Sequence, residues 1–352
     1  MASSISNSNS RIPSLPYGRA GAWAIGLVVG LLLPMEVLAR LNGYPGAPKD
    51  DPALWALARS HVRDDDPHQV VLLGSSRMQL GIDSSIFAET LGTDPPIQLA
   101  IVGSSPVPVL KHLAEKSGFQ GTVLCEIFPG IHFKADNRRS LARPKEYLEF
   151  YDNRTATALL ERQLKLWVEL SFASMNSRFR PSRVLKNWIR TGEPFPPSAI
   201  VHADRTIDAD FTRVDDRRER DDTGQYGPPM SPEQLAAALR EIEAAVLAIH
   251  ARGGQVVFTR FPAADTQYEA EGGMYPRSVF WEGLGRIQGV ATIHFTDYPS
   301  LSQFTAADGS HLDFRVAEGF SRELGKILAD RVPRFAKASS GSLSHAGVDP
   351  AP

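Results

Sequence analysis

Five short runs of consecutive apolar residues, separated mostly by helical patterns, constrain this chain more than any other feature. They are "VVLLG" (70–74), "IQLAIVG" (97–103), "TVLCEIF" (122–128), "QVVFTRF" (255–261) and "ATIHF" (291–295). Runs that do not alternate apolar with polar residues belong to strands covered on both faces. Helical patterns follow them: "SSIFAETLG" closed by Gly92, Val107 to Lys116, a stretch around Val279 to Gln288, and an amphipathic helix from Asp313 to about Val332. The clearest helix has Ser231 as N-cap, Pro232 at its first position, Gln234 placed for a capping box and Gly253 as its stop. Repeated strand–helix units close as a parallel sheet with helices on both sides. The expected fold is therefore α/β, a three-layer sandwich around a five-stranded parallel sheet.

The alternation fails from 134 to 229, which reads as a mainly helical insertion into a domain formed by 67–133 and 230–335. Its first half has apolar residues at helical spacing, and its second half is loop-like and charged. Tyr147, Phe150, Tyr151 and Trp167 form either a ligand face or, more commonly, the face packed on the parent domain. Arg178, Arg180, Arg183, Lys186 and Arg190 suit an anionic glycan or lipid head groups, with a solvated basic helix as the alternative.

At the other end, residues 1–19 are a Ser- and Asn-rich tail, and 20–41 form an apolar run long enough to cross a membrane, although Pro34 and Glu36 interrupt its far end. Arg11, Arg19 and the amino terminus precede it, so we expect a signal anchor with the domain outside the cytoplasm, on the periplasmic side of a bacterial inner membrane. A cleaved signal peptide is the alternative. Residues 42–66 read as a turn-rich stalk carrying one short helix, and 336–352 as a disordered tail. A net charge of −2 gives no case for nucleic-acid binding, and a lone cysteine, Cys125, cannot form an internal disulfide.

In doubly wound sheets, ligands bind beyond the carboxyl ends of the strands. Gly74-Ser75-Ser76-Arg77 stands at such an end, where a serine on a tight turn before a helix either exposes its hydroxyl or merely caps the helix. A serine nucleophile needs a base, and the base needs a group that holds it. Asp308-Gly309-Ser310-His311, after the fifth strand and before the last helix, supplies both on the same edge. Arg77 and Arg260 at strand ends suit an anionic substrate group, or salt bridges. His294 with Asp297 is a second His/Asp candidate, but His294 falls within a strand. Asp308, His311 and Asp313 lack a second histidine at ligand spacing, so neither a metal nor a cofactor is expected.

This combination resembles the SGNH (GDSL-like) hydrolase superfamily over residues 68–133 and 230–333, which implies a flavodoxin-like arrangement of the five-stranded sheet. The resemblance makes Ser76 the nucleophile, with Ser75 replacing the usual aspartate, and Asp308 and His311 the remaining members of a triad. It makes Gly103, after the second strand, an oxyanion donor together with the Ser76 backbone N–H. The family's third block, Gly-x-Asn-Asp, is missing: "CEIFPGIHF" occupies its place and offers no asparagine. Losing one oxyanion donor typically costs on the order of a hundredfold in rate. In this it resembles membrane-anchored outliers of the superfamily linked to O-acylation of exopolysaccharides. The expected activity is a serine acyl-ester hydrolase or O-acyltransferase acting on O-acyl (acetyl) groups of cell-surface or exported glycan, or on a small ester. The alternative is a non-catalytic glycan-binding or scaffold component of a polysaccharide assembly complex.

Overall fold

The computed structural model describes residues 17–213 and 227–335; the tail expected at 336–352 and residues 1–16 of the tail expected at 1–19 lie outside them, while 17–19 already belong to a helix. Strands β1 (Val70–Leu73), β2 (Ile97–Gln98), β3 (Thr122–Glu126), β6 (Gln255–Arg260) and β7 (Ala291–His294) form one parallel sheet in the order β2-β1-β3-β6-β7. The short strands β4 (Ala199–Val201) and β5 (Ile207–Ala209) pair antiparallel in a separate hairpin.

Side-chain alternation explains why the strands are apolar throughout. Val71, Leu73, Val123, Cys125, Val256 and Phe258 enter one core with α5 (Val107–Lys116) and α10 (Pro232–His250). Val70, Leu72, Leu124, Val257 and Ile293 enter a second core with α4 (Ser84–Leu91) and the C-terminal helix Phe314–Arg331. Helix α10 carries the expected capping box, Ser231 accepting from the Gln234 N–H and Gln234 from the Ser231 N–H.

Several boundaries depart from the sequence reading. β2 stops at Gln98 rather than continuing to Gly103, although Leu99 and Ile101 still donate to the carbonyls of Leu72 and Gly74. Beyond Gln98 the strand's outer carbonyls are taken by a side chain: the buried Arg205 guanidinium donates to Gln98 O at 2.6 Å and Ala100 O at 3.0 Å, covering the sheet edge. Two one-turn helices, Arg277–Phe280 and Glu282–Gly285, replace the single helix expected at 279–288. They follow α11 (Asp265–Met274), which the sequence reading missed.

The segment expected as a stalk is part of the domain. Its helix α2 (Pro52–Ser60) buries Trp55 completely, and the indole N–H donates to Leu99 O at 2.9 Å.

The insertion leaves and re-enters the domain at one point, where Lys134 and Pro229 form an isolated antiparallel bridge. Among the described residues it holds α7 (Arg138–Asp152), α8 (Ala156–Ser171), α9 (Pro181–Thr191) and the β4–β5 hairpin, a pair of strands the sequence reading did not expect. Tyr147 and Tyr151 pack edge-on against Trp55, whereas Phe150 and Trp167 are exposed. The hairpin is fixed by Arg205, which adopts a left-handed φ of 72° and clasps Asp50 at 2.7 and 3.1 Å. Helix α1 (Tyr17–Leu41) contains a stretch, Ala20–Leu41, long and apolar enough to cross a membrane, and almost all of that stretch is exposed.

Candidate active site

At the end of β1 the chain turns sharply into the short helix α3 (Ser76–Gly81). The turn requires Gly74, because a Cβ there would lie 2.8 Å from the Met78 Cβ and 3.0 Å from the Glu126 Cβ. Ser75, at the N-cap position, is fully buried, and its hydroxyl lies 3.4 Å from Glu126 Oε2. Ser76 opens α3 and reaches the surface. The two adjacent serines thus face opposite ways, one into the core and one toward solvent.

Ser76 Oγ lies 2.8 Å from His311 Nε2. On the far side of the ring, His311 Nδ1 lies 2.9 Å from Asp308 Oδ2. Asp308 is held by its own turn: its Oδ1 accepts the backbone N–H groups of Ser310 at 2.9 Å and His311 at 2.7 Å, while Gly309 supplies the positive φ of 85°. Burial raises the Asp308 carboxyl, but the His311 hydrogen bond and charge and the two backbone N–H groups outweigh it and hold the pKa at about 2. A carboxylate beside Nδ1 selects the Nδ1–H tautomer, which leaves the Nε2 lone pair directed at the Ser76 hydroxyl.

Gly103 lies in a turn with φ +66°, closed by the Ser104 N–H donating to Ile101 O at 3.1 Å. Ile101 makes the last ladder bond to Gly74, so Gly103 and Ser76 each stand two residues past that bond. A Cβ on Gly103 would meet nothing within 4 Å, so its conformation, and not crowding, calls for glycine. The Ser76 N–H opens a helix and has no intrahelical acceptor.

After β3, where the sequence reads "CEIFPGIHF", the chain forms the helical turn α6 (Pro129–His132). His132 Nδ1 lies 2.6 Å from Phe128 O, and burial, followed by the Arg260 charge, lowers its pKa to about 3. It is a neutral structural histidine.

Arg77 and Arg260, expected to face substrate, are buried, 3% and 1% exposed. Arg260 pairs with the buried Glu271 at 2.7 Å, and Arg77 donates to Pro262 O at 3.2 Å and lies over the Phe128 ring. Both face Glu126 at the end of β3, where burial raises the carboxyl against the charges of the two guanidiniums. Their positive charge therefore only partly offsets the cost of burying the Glu126 carboxyl under the Ser75 turn.

His294 and Asp297 do not form a pair. Asp297 is held by Arg277 at 2.7 Å, and burial lowers His294 to about 3. Asp313 caps the C-terminal helix through the Arg315 N–H and accepts the Phe211 N–H at 2.9 Å.

That last bond belongs to a contact the sequence did not reveal. Phe211, from the insertion, stacks on His311 with ring planes within 8° and centroids 6.1 Å apart. The nearest sequence signal, an apolar residue in an otherwise charged stretch, does not say which histidine it meets. Asp210 and Arg315, 3.0 Å apart, tie the same segment to the C-terminal helix. The insertion thus forms one wall beside the imidazole.

No family model and no curated protein matches this chain. Among solved structures it is similar to a chain from Streptococcus pneumonia provisionally described as a platelet activating factor. That match has 11% identity and a TM-score of 0.36, covering 87% of this chain and 99% of that one. It is also similar to an acetyl xylan esterase from the rumen bacterium Butyrivibrio proteoclasticus, at 10% identity and a TM-score of 0.27, covering 76% of this chain and 64% of the other. Likenesses this loose carry neither activity nor substrate over to this chain.

Proposed function

We propose that this chain is a membrane-anchored, SGNH-type serine acyl-ester hydrolase or O-acyltransferase, acting outside the cytoplasm on O-acyl (acetyl) groups of cell-surface or exported glycan. The observation that carries the reading is the continuous Ser76–His311–Asp308 relay, at 2.8 Å and 2.9 Å. Ser76 Oγ attacks the acyl carbonyl carbon as His311 Nε2 takes the hydroxyl proton, and Asp308 stabilises the imidazolium that results. The carbonyl oxygen becomes an oxyanion, for which the backbone N–H groups of Ser76 and Gly103 are the candidate donors. His311 then returns the proton to the departing alkoxide, leaving an acyl-enzyme on Ser76. Water attack on that ester gives hydrolysis, and attack by a sugar hydroxyl gives transfer.

The absence of an asparagine after β3 favours a second reading, a non-catalytic glycan-binding component of a polysaccharide assembly complex. The two separate on turnover of a small acetyl ester by the full chain in detergent. The enzyme reading expects hydrolysis that His311→Ala removes nearly completely. Wild-type-like turnover in His311→Ala, or none in the wild type, would contradict it.

A further inference from the structure

Helix α8 is apolar on its outer face as well as at one inner position. Its inward face carries Leu166 together with Arg162 and Glu169, all buried, the two ions paired at 2.9 Å and Asp51 3.4 Å from the same guanidinium. Its outward face, at i, i+4 and i+7, carries Leu160, Leu164 and Trp167, which are 61%, 60% and 67% exposed. Helix α9 also presents an apolar stripe outward, Leu185, Trp188 and Ile189, although the residue it buries, Val184, is apolar too. Phe172 and Met175, between the two helices, are exposed as well. A helix that buries its ions and presents leucine and tryptophan outward is matched to an apolar exterior.

We propose that this exterior is the bilayer that α1 enters, and that α8 and α9 lie along its surface as a second membrane contact. Three observations favour lipid over a protein partner. First, the surface is fastened to the end of α1. Glu36 accepts the backbone N–H groups of Ala173 and Ser174 at 3.0 and 2.9 Å, and Arg40 donates to Ser171 O at 3.1 Å. Twenty-five helical residues span about 37 Å against a hydrocarbon core of about 30 Å, so one end of α1 must emerge at head-group level. The fastened end, around Glu36 to Leu41, brings α8 and α9 to that level with it.

Second, the aromatics exposed on the two helices are tryptophans, the residue enriched at membrane interfaces. Third, α9 carries Arg183, Lys186 and Arg190 beside its apolar stripe. A cleft of about 890 Å³ lined by Tyr44, Arg178, Arg180 and Arg183 opens three residues past the end of α1. Cations flanking an apolar stripe suit anionic head groups around an acyl boundary. The glutamate that seemed to interrupt the span is accounted for by the same contact: it caps the turn that joins insertion to anchor.

The inference rests on α1 crossing the bilayer and is independent of the chemistry at Ser76. The chain has five tryptophans: Trp23 in α1, Trp55 and Trp281 in the core, and Trp167 and Trp188 on the proposed surface. We would reconstitute the full chain, one copy per nanodisc, in a mixture of phosphatidylglycerol and phosphatidylcholine brominated at shallow acyl positions. In Trp23→Phe, the expected result is strong bromine quenching that disappears when Trp167→Phe and Trp188→Phe are added. Absence of quenching in Trp23→Phe, with Trp167 and Trp188 open to aqueous iodide, would overturn the proposal and leave the stripe to a protein partner. In Trp167→Phe/Trp188→Phe the tryptophan left outside the core is Trp23, so failure of the anchor itself is read separately.

Discussion

Replacing Asp308 with asparagine should disable the imidazole while leaving the turn intact, because the two carboxylate oxygens divide their tasks unequally. Oδ1 accepts both backbone N–H groups, at 2.9 and 2.7 Å, and lies 3.2 Å from His311 Nδ1, whereas Oδ2 makes the shorter contact to that nitrogen, at 2.9 Å. An asparagine keeps the backbone set only by placing its oxygen where Oδ1 is. Its NH₂ then takes the shorter contact to Nδ1, and two donors cannot face one another at that distance. The ring must move its proton to Nε2, so that it donates to Ser76 Oγ rather than accepting from it. Holding a triad histidine in the wrong tautomer lowers turnover by about 10⁴, or roughly 5 kcal/mol of transition-state stabilisation. The assay is steady-state hydrolysis of an acetyl ester by Asp308→Asn and wild type, with near-ultraviolet circular dichroism as the check on packing. Asp308→Asn turning over within tenfold of wild type would refute the assigned hydrogen-bond roles.

Phe211→Ala removes the ring stacked on His311 while keeping the backbone bond to Asp313; at about 0.5–1.5 kcal/mol for an aromatic pair, kcat should fall about two- to twelvefold. An unchanged kcat would show that the insertion is a bystander. Arg205→Met leaves the Asp50 carboxylate with the Gln79 amide but without its cation, and takes the donor from two strand-edge carbonyls. Breaking such a buried pair costs about 3 kcal/mol or more, so amides of β4 and β5 should exchange with deuterium about a hundredfold faster, and wild-type exchange would refute the anchoring role. The Asp308 carboxyl, held at about 2 against roughly 3.9 in an unfolded chain, contributes stability that is present above pH about 4 and lost as pH falls toward 2. The difference in melting temperature between wild type and Asp308→Asn should therefore shrink over that interval; a difference that widens would contradict the sign.

What the sequence disclosed followed from local physics. Strands buried on both faces must be apolar throughout, so β1, β3 and β6 stood out, and a capping box marks a helix whatever surrounds it. Asp308 and His311 were legible because one turn holds both. The misreadings share a cause, which is that burial of a polar group depends on partners far along the chain. Arg77 and Arg260 look like surface clamps until Glu126 and Glu271 appear beside them. β2 looks three times longer than it is, because nothing near Gln98 announces that Arg205, more than a hundred residues later, will occupy its outer carbonyls. The acidic and proline-rich composition of 42–66 hid the one residue that decides its fate, Trp55. Phe211 meeting His311 is tertiary in the same sense, as no spacing rule joins an insertion to a triad.

The central claim is that Ser76 is the nucleophile and its neighbour is not, and a fluorophosphonate probe tests it most directly. The full chain in detergent should be labelled covalently at Ser76. Ser76→Ala should abolish the label, and Ser75→Ala, which removes only a buried hydroxyl 3.4 Å from Glu126, should weaken it without removing it. An unlabelled wild type, or a label lost in Ser75→Ala and kept in Ser76→Ala, would contradict the account.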